Sequence, residues 1–220
     1  MKRRFLALGG FLAGTVLALV LLAGTALATL TEVGHSTQPA TPTCPANPCL
    51  AVSRTTGFQS KAGTDKGVMV VPRDGRIVAW TITLGKPSTK QISFFDTNEG
   101  GPAEAGITLL RPGKRLFFRT QAQTPLVQLQ PYFGMTAQFP LVTTLAVKKG
   151  WVVALTVPTW APALSVGFDN TTAWRSSRDK KTCSNTTTQT AQQRTMQLTQ
   201  YGCLYKTARL TYSATLISTP

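Results

Sequence analysis

Short runs in which apolar and polar residues alternate are the main pattern in this chain. Between Arg76 and Leu84 every second residue is apolar, and a strand with that pattern buries one of its two faces. The buried face predicted for this strand consists of Val78, Trp80, Ile82 and Leu84. The most regular alternation extends over Tyr205–Ile217, which we predict to be the last strand. Seven shorter runs are predicted as strands: Gln91–Phe95, Ile107–Arg111, Arg115–Thr120, Leu126–Gln130, Leu141–Val147, Trp151–Val157 and Leu164–Phe168.

Turn-forming residues separate these runs at near-regular intervals. Asp74–Gly75 lies between a β-type run at Gly67–Val71 and the Arg76–Leu84 strand, and Lys148–Gly150 lies between two predicted strands. Glycine accepts a positive φ in such turns at no steric cost. Many short strands joined by such turns predict an all-β fold, a single antiparallel jelly-roll-like β-sandwich. After the N-terminal hydrophobic segment, a short stretch within Thr190–Leu198 is the one candidate for a helix. The residues predicted to be buried between two sheets are Val78, Trp80, Ile82, Val153, Leu155, Leu210 and Tyr212.

The N-terminus has the parts of a secretory signal peptide. A basic start at Lys2–Arg4 precedes an uncharged stretch from Phe5 to Leu30, and the small residues of Ala26–Ala28 offer a cleavage site. We therefore expect a signal peptide at residues 1–28, a Thr/Pro-rich linker at 29–48 and a β-sandwich domain at 49–220. The alternative is a retained membrane anchor at residues 5–30, since the uncharged run is long enough to span a bilayer. In both cases the basic start places the rest of the chain outside the cytoplasm, as a secreted or cell-surface protein.

Four cysteines indicate two disulfides in an oxidising compartment. Cys44 and Cys49 lie in a proline-rich segment, and Cys183 and Cys203 flank a segment rich in Thr, Gln, Asn and Ser. We predict these two local pairs, because a polar segment gains most from a covalent tie. Four cysteines can form two disulfides in three ways, so the other two sets of pairs remain alternatives. A zinc site is not expected, since the one histidine, His35, lies in the predicted linker.

The chain also carries a strong positive charge. The 220 residues include 23 Lys and Arg against 8 Asp and Glu, a formal net charge of +15, and 42% are hydrophobic. That hydrophobic fraction excludes an intrinsically disordered chain. A basic surface can bind wall polymers, acidic polysaccharides, lipid head groups or extracellular DNA. The alternative is that the cations only keep a secreted domain soluble.

Two basic clusters lie near predicted turns. Trp160 and Trp174 are predicted to stack on sugars or bases, and the first cluster lies directly after Trp174. The candidate ligand-binding residues are Trp160, Trp174, Arg175, Arg178, Lys180 and Lys181. The second cluster consists of Arg111, Lys114, Arg115 and Arg119. No known nucleic-acid motif accompanies either cluster, so specific nucleic-acid recognition is not expected.

Candidates for catalysis and metal binding are few. General acid–base chemistry most often uses histidine, and His35 lies in the predicted linker. A glycosidase needs two carboxylates on either side of the scissile bond, which sequence alone does not exclude. Ser177–Lys180 matches S-x-x-K but lacks the companion motifs of penicillin-recognising enzymes. Asp96–Gly101 resembles the start of a calcium loop, yet Asp, Asn and Gly are also ordinary turn formers. We therefore predict no catalytic residue, no metal ligand and no cofactor.

Four segments of the chain resemble a family of uncharacterised secreted actinobacterial proteins with a jelly-roll-like β-sandwich. They are Pro72–Trp80, Val147–Leu155, Cys44–Gln59 and Tyr201–Tyr205. The resemblance implies a fold and an export route, and it transfers no catalytic residue.

These patterns favour a secreted, non-catalytic binding or cell-envelope-associated module that contacts anionic or carbohydrate polymers. One alternative is a secreted hydrolase whose carboxylates converge only in three dimensions. Another is a purely structural surface protein. A cleft holding two or more acids would favour the hydrolase, whereas a flat face with Trp and Arg would favour binding.

Overall fold

Antiparallel strands are the main secondary structure of the described chain, which confirms the predicted all-β sandwich. The computed structural model describes residues 28–178, 180–184, 191 and 194–218, so the predicted signal peptide lies outside the described residues up to residue 27. The elements of the described chain are β1 (Leu30–Val33), β2 (Val52–Ala62), β3 (Asp65–Lys66), β4 (Gly75–Thr83), α1 (Thr89–Asn98), β5 (Glu104–Pro112), β6 (Phe117–Gln123), β7 (Val127–Gln128), β8 (Thr136–Val147), β9 (Val152–Ala161), β10 (Leu164–Val166), β11 (Ala173–Ser176), β12 (Leu198–Gln200), β13 (Cys203–Lys206), β14 (Ala208–Leu210) and β15 (Tyr212–Ser218).

Two large sheets and one short one contain these strands. The first large sheet has the order β1–β15–β4–β8. The second has the order β12–β6–β5–β9–β2–β11–β13, with β3 and β7 attached to β2 and β5. Strands β10 and β14 form the short sheet. Short 3₁₀ helices at Gln130–Tyr132 and Lys180–Thr182 interrupt the connections.

The core lies between the two large sheets. The Tyr212 hydroxyl of β15 donates a hydrogen bond to the Val153 carbonyl of β9, 3.0 Å away, and so joins one sheet to the other. Burial is confirmed for most of the residues predicted to lie there, each of which is at most 6% exposed. These residues are Trp80, Ile82, Val153, Leu155, Leu210 and Tyr212.

The prediction for Val78 is wrong, because β4 contains an irregularity at that position. The pairing of β4 with β8 shifts register between Ile77 and Ala79. A bulge adds one residue to a strand and so reverses which positions face the core on its two sides. Ile77 is therefore fully buried together with Trp80 and Ile82, whereas Val78 is half-buried.

The strand predicted at Gln91–Phe95 is also wrong, since this segment belongs to α1. Ser88 Oγ accepts a hydrogen bond from the Gln91 backbone N–H, and the Gln91 side chain accepts one from the Ser88 N–H. This capping box satisfies donors that the start of a helix leaves unpaired. Local capping, rather than hydrophobic periodicity, starts this helix.

The single strand predicted over Tyr205–Ile217 is divided into β13, β14 and β15, which belong to three different sheets. Thr207, between β13 and β14, has a φ of 58°, a left-handed conformation that a β-branched residue rarely adopts. The chain turns there while the alternation of buried residues continues through Ala208, Leu210 and Tyr212. The helix expected within Thr190–Leu198 falls partly outside the described residues, and Leu198 begins β12.

Part of the predicted linker belongs to the sandwich, which corrects its boundary. Leu30–Val33 pair with β15. The next residue, Gly34, has a φ of +98°, and its N–H donates to the Val68 carbonyl at 2.8 Å. A Cβ at Gly34 would lie only 2.7 Å from the Met69 sulfur, so the close approach requires glycine. The edge of β15 thus pairs with a segment whose composition is typical of a linker.

Both predicted disulfides are present, Cys44–Cys49 and Cys183–Cys203. Two disulfides indicate an oxidising environment outside the cytoplasm. In the part of the chain that the structure describes, no helix has the length and hydrophobicity needed to cross a membrane.

Candidate functional site

The two tryptophans predicted to stack on a ligand lie in the core, so that prediction is wrong for both. Trp160 of β9 is fully buried, its Nε1 donates to Asp96 Oδ1 at 2.9 Å, and its ring stacks on Phe95 of α1. Trp174 of β11 is 3% exposed and stacks on Tyr205, with the ring centroids 4.4 Å apart. Both strands have a neighbour on each side within the large sheet. Neither ring therefore presents a face to a sugar or a base.

Arg178 supports the fold rather than an exposed site, which corrects the prediction for it. It is 4% exposed, and its guanidinium donates to the Tyr205 hydroxyl at 2.9 Å and to the Ser53 carbonyl. The Tyr205 hydroxyl in turn donates to the Cys183 carbonyl. Arg178 and Tyr205 therefore tie the loop closed by the Cys183–Cys203 disulfide to the sandwich.

The remaining predicted residues are Arg175, Lys180 and Lys181, and two of them flank the chain at Tyr201–Gly202. Arg175 is half-buried, and its guanidinium donates to the Tyr201 carbonyl at 3.4 Å; burial lowers its pKa. Lys180 and Lys181 are exposed, and a Cβ placed on Gly202 would lie 3.1 Å from Lys180 Cβ. Arg175 and Lys180 thus lie next to the segment that follows the edge strand β12.

The second basic cluster lies at this same edge, on the hairpin that joins β5 to β6. Every residue of Arg111–Phe117 is exposed, and so is every residue of Arg194–Leu198, which leads into β12. Arg119 lies within β6 and is half-buried. We name the cations of these segments the basic surface: Arg111, Lys114, Arg115, Arg119 and Arg194. The sequence had indicated the first four, and the pairing of β12 with β6 adds Arg194.

A tight turn forms the end of this hairpin. The Gly113 N–H donates to the Phe117 carbonyl at 2.8 Å, and the Phe117 N–H donates to the Lys114 carbonyl at 3.0 Å. Arg115 and Leu116 have φ values of 53° and 64°, in the left-handed region that residues other than glycine avoid. Each such residue costs about 1–3 kcal/mol and persists only where its surroundings hold it in place.

Strand β12 and its flanking residues hold the turn. The Tyr201 N–H donates to the Leu116 carbonyl at 2.9 Å, and the Gln200 side chain donates to the Arg115 carbonyl at 3.0 Å. The Arg119 guanidinium donates to the Met196 carbonyl at 3.0 Å. Contacts from a strand distant in sequence therefore stabilise the strained conformation of the turn.

Like charges face each other on the basic surface. Arg111 of β5 and Arg119 of β6 are directly opposite in the strand register. Two cations in that arrangement destabilise a sheet. The sequence contains no acidic residue between Glu104 and Asp169, so the hairpin brings no carboxylate of its own to offset them.

Exposed apolar side chains accompany these cations. Leu116 is 39% exposed, Phe117 37%, Met196 60% and Leu198 52%. Leu198 is directly opposite Arg119 across β6 and β12, so an apolar and a cationic side chain are neighbours on one face of the sheet. We name the four apolar residues the apolar tip. The basic surface and the apolar tip together form an amphipathic surface.

A separate open groove of about 290 Å³ lies beside β1, β4 and β15. It contains Glu32, His35 and Arg209, and sequence reasoning missed it because the predicted linker was not expected to pair with β15. Glu32 accepts hydrogen bonds from the Ser213 and Thr215 hydroxyls, and burial lowers the pKa of Arg209. Glu32 is the one carboxylate among the described residues that line the groove. Other hydroxyl groups line it as well: Ser36, Thr81, Thr83 and Thr211.

The carboxylates of Asp96–Gly101, the segment that resembles the start of a calcium loop, have partners within the fold. Asp96 accepts hydrogen bonds from the Trp160 indole and from the Gln130 side chain at 3.2 Å. Glu99 forms an ion pair with Arg54 at 3.4 Å. These residues lie at the end of α1 and directly after it. Throughout the described ranges, no three His, Cys, Asp or Glu side chains lie close enough together to hold a metal ion.

The S-x-x-K segment is described only in part, because Asp179 lies outside the described residues. Ser177 Oγ accepts a hydrogen bond from the Thr56 N–H at 3.1 Å. The hydroxyl therefore satisfies a backbone donor of β2.

No protein-family model matches the chain, and no curated protein or solved structure is similar to it. Function therefore has to follow from the basic surface, the apolar tip and the groove themselves.

Proposed function

We propose that this protein is a secreted, non-catalytic module that associates with the cell envelope by binding anionic polymers through its basic surface. The observation that carries the proposal is the direct opposition of Arg111 and Arg119 across β5 and β6, on a hairpin that also carries Lys114 and Arg115 and lies in a stretch without an acidic residue from 105 to 168. Two cations opposite each other in a sheet repel, and a phosphate or carboxylate that binds both turns that repulsion into attraction. A repeating anionic chain supplies such groups at regular intervals.

The distribution of the cations favours an extended ligand over a small anion. Lys114 and Arg115 lie at the end of the hairpin, Arg194 comes from the segment before β12, and Lys180 lies beside Gly202. These groups come from three parts of the chain and are spread along one edge of the sheet. A polymer can contact several of them at once, and each contact releases counterions from the polymer.

The partners of the acidic side chains support a non-catalytic role. The Asp74 carboxylate accepts hydrogen bonds from the Lys149 N–H and the Lys148 ammonium group, and these bonds lower the pKa of Asp74. Glu32 accepts hydrogen bonds from two hydroxyl groups. Among the described residues that line its groove there is no second carboxylate. Glycoside hydrolysis by two carboxylates would need such a second group.

The proposed location combines two features of the chain. The disulfides require an oxidising compartment. The basic start at Lys2–Arg4 followed by an uncharged stretch is typical of an exported protein, and its removal after Ala28 would release the sandwich.

Polyphosphate binding tests the proposal. We expect the double variant Arg111→Gln/Arg119→Gln to bind long-chain polyphosphate about tenfold more weakly, and the slope of log K against log salt to fall by about two, one for each lost cation. Isothermal titration at a series of salt concentrations measures both quantities.

The matched control is Lys61→Gln/Lys66→Gln. These two exposed lysines are also directly opposite each other, in β2 and β3, and their loss changes the net charge by the same amount. If both double variants weaken binding equally, the protein responds only to net charge and the proposed site is wrong.

A further inference from the structure

We infer that the apolar tip inserts into the head-group region of an anionic lipid bilayer while the basic surface contacts the lipid phosphates. The inference rests on the proposed function for its charge contacts and goes beyond it in naming the partner. It is carried by the four exposed apolar side chains that accompany the cations on this edge.

The conformation of Leu116 is the first argument. At a φ of 64° the favoured residue is glycine or asparagine, and leucine there is strained. Leu116 is also 39% exposed, so a large part of its apolar surface stays in contact with solvent. The hydrogen bonds from β12 hold the backbone of the turn but do not explain why leucine stands there, and a side chain that breaks a local rule of folding is a candidate for contact with something outside the protein.

Rigidity is the second argument. The Leu116 carbonyl accepts from the Tyr201 N–H, and Phe117 is opposite Gln200 in the pairing of β6 with β12. The backbone of the tip is therefore held by an ordered strand. Side chains presented from such a backbone lose little further entropy when they enter a binding partner.

The mixture of chemical groups points to a bilayer as a second partner beside the anionic polymers. A soluble polyanion offers phosphate or carboxylate groups to the arginines but no apolar phase to receive Phe117 or Leu198. A bilayer interface offers both, since anionic head groups attract the cations and the acyl boundary accepts the apolar side chains. Long cationic side chains such as Arg115 can extend toward the phosphates while their aliphatic parts lie against the lipid.

Vesicle sedimentation with a chain that begins at Thr29, and so lacks nearly all of the uncharged N-terminal stretch, tests the inference. We expect it to bind vesicles of phosphatidylglycerol and phosphatidylcholine in about equal amounts, and not pure phosphatidylcholine vesicles. The double variant Leu116→Ser/Phe117→Ser should bind the anionic vesicles at least about tenfold more weakly and keep its affinity for polyphosphate. The control is Val142→Ser, which removes a fully exposed apolar side chain from β8 in the other large sheet and should change neither affinity.

Leu116→Gly separates insertion from folding. Glycine adopts the left-handed conformation without strain, so this variant should melt at the same temperature as the parent protein or higher. It should nevertheless bind anionic vesicles more weakly, because the inserted side chain is gone. Introducing Phe117→Trp should add indole fluorescence to that of the four native tryptophans, and brominated lipids should quench this added component only in anionic vesicles.

The outcomes distinguish the two proposals. If the Leu116 and Phe117 variants bind anionic vesicles as tightly as the parent protein, insertion is overturned while the polyanion site stands. Binding to polyphosphate without binding to anionic vesicles also overturns insertion alone. If the parent protein binds neither probe, both the insertion and the proposed function are wrong.

Discussion

Trp80 illustrates how single residues stabilise the sandwich. It is 1% exposed, and its ring lies 4.8 Å from that of Phe139 in the neighbouring strand β8. Truncation leaves a cavity that the surrounding β-structure closes only in part. We expect Trp80→Ala to lower the free energy of unfolding by about 3–5 kcal/mol in a reversible denaturant titration.

Val78 provides the matched control within the same strand. It is half-buried at the irregularity of β4, so Val78→Ala should cost about 1 kcal/mol or less. A larger loss for Val78 than for Trp80 would contradict the assignment of the buried face on both sides of the bulge.

At the scale of elements, the Cys183–Cys203 disulfide is expected to hold a polar loop that cannot form a core of its own. The two cysteines are 20 positions apart in the sequence, so the disulfide closes a long loop and reduces the conformational entropy of the unfolded chain. We expect Cys183→Ser/Cys203→Ser to lower the free energy of unfolding by about 3 kcal/mol in the chain-entropy model. Denaturant unfolding of the purified variant measures this loss.

The second disulfide is the control for that element. Cys44 and Cys49 are only five positions apart in the sequence, so Cys44→Ser/Cys49→Ser should cost less, about 2 kcal/mol. Equal losses, or a smaller loss for the long loop, would show that the tie through Tyr205 and Arg178 holds the loop without the disulfide.

At the scale of the whole molecule, the two tyrosines of the core set an alkaline limit to stability. Burial raises the pKa of both Tyr201 and Tyr212 above the usual value. The unfolded chain loses these protons from about pH 10, whereas the folded protein keeps them. Stability is therefore complete below about pH 10 and is lost as the pH rises further, at about 1.4 kcal/mol per pH unit for each tyrosine.

Tyr212→Phe tests that limit. The variant loses the hydrogen bond to the Val153 carbonyl between the two sheets, so it should be about 1 kcal/mol less stable at neutral pH. Its stability should fall less steeply than that of the parent protein above about pH 10, because one titrating group is gone. Urea unfolding at increasing pH measures both effects, and an unchanged slope would contradict the assignment.

Much of the fold could be predicted because its signals are local. Period-two alternation and turn residues indicated β4, β5, β6 and β9, and the two disulfides join cysteines that are close in the chain. The helix α1 was missed, although its S-x-x-Q capping sequence at Ser88–Gln91 is readable, because the search followed hydrophobic periodicity.

The candidate site could be predicted only in part. The four cations from Arg111 to Arg119 lie within one hairpin, so the sequence alone indicated their clustering. Arg194 and Leu198 join them through pairing between β6 and β12, which are far apart in sequence. The sequence likewise could not show whether a tryptophan is exposed, because exposure depends on which strands lie inside the sheet and which element covers them.

The sequence by itself thus determined the class of fold and the positive charge, and it favoured the two local disulfides over the other pairings, since each depends on composition or on neighbours along the chain. The tertiary structure alone decided the bulge at Val78, the burial of Trp160, Trp174 and Arg178, and the meeting of the basic surface with the apolar tip. The physical reason is that strand order and register are set by packing across the whole core. A one-residue shift in that packing reverses which side chains reach solvent.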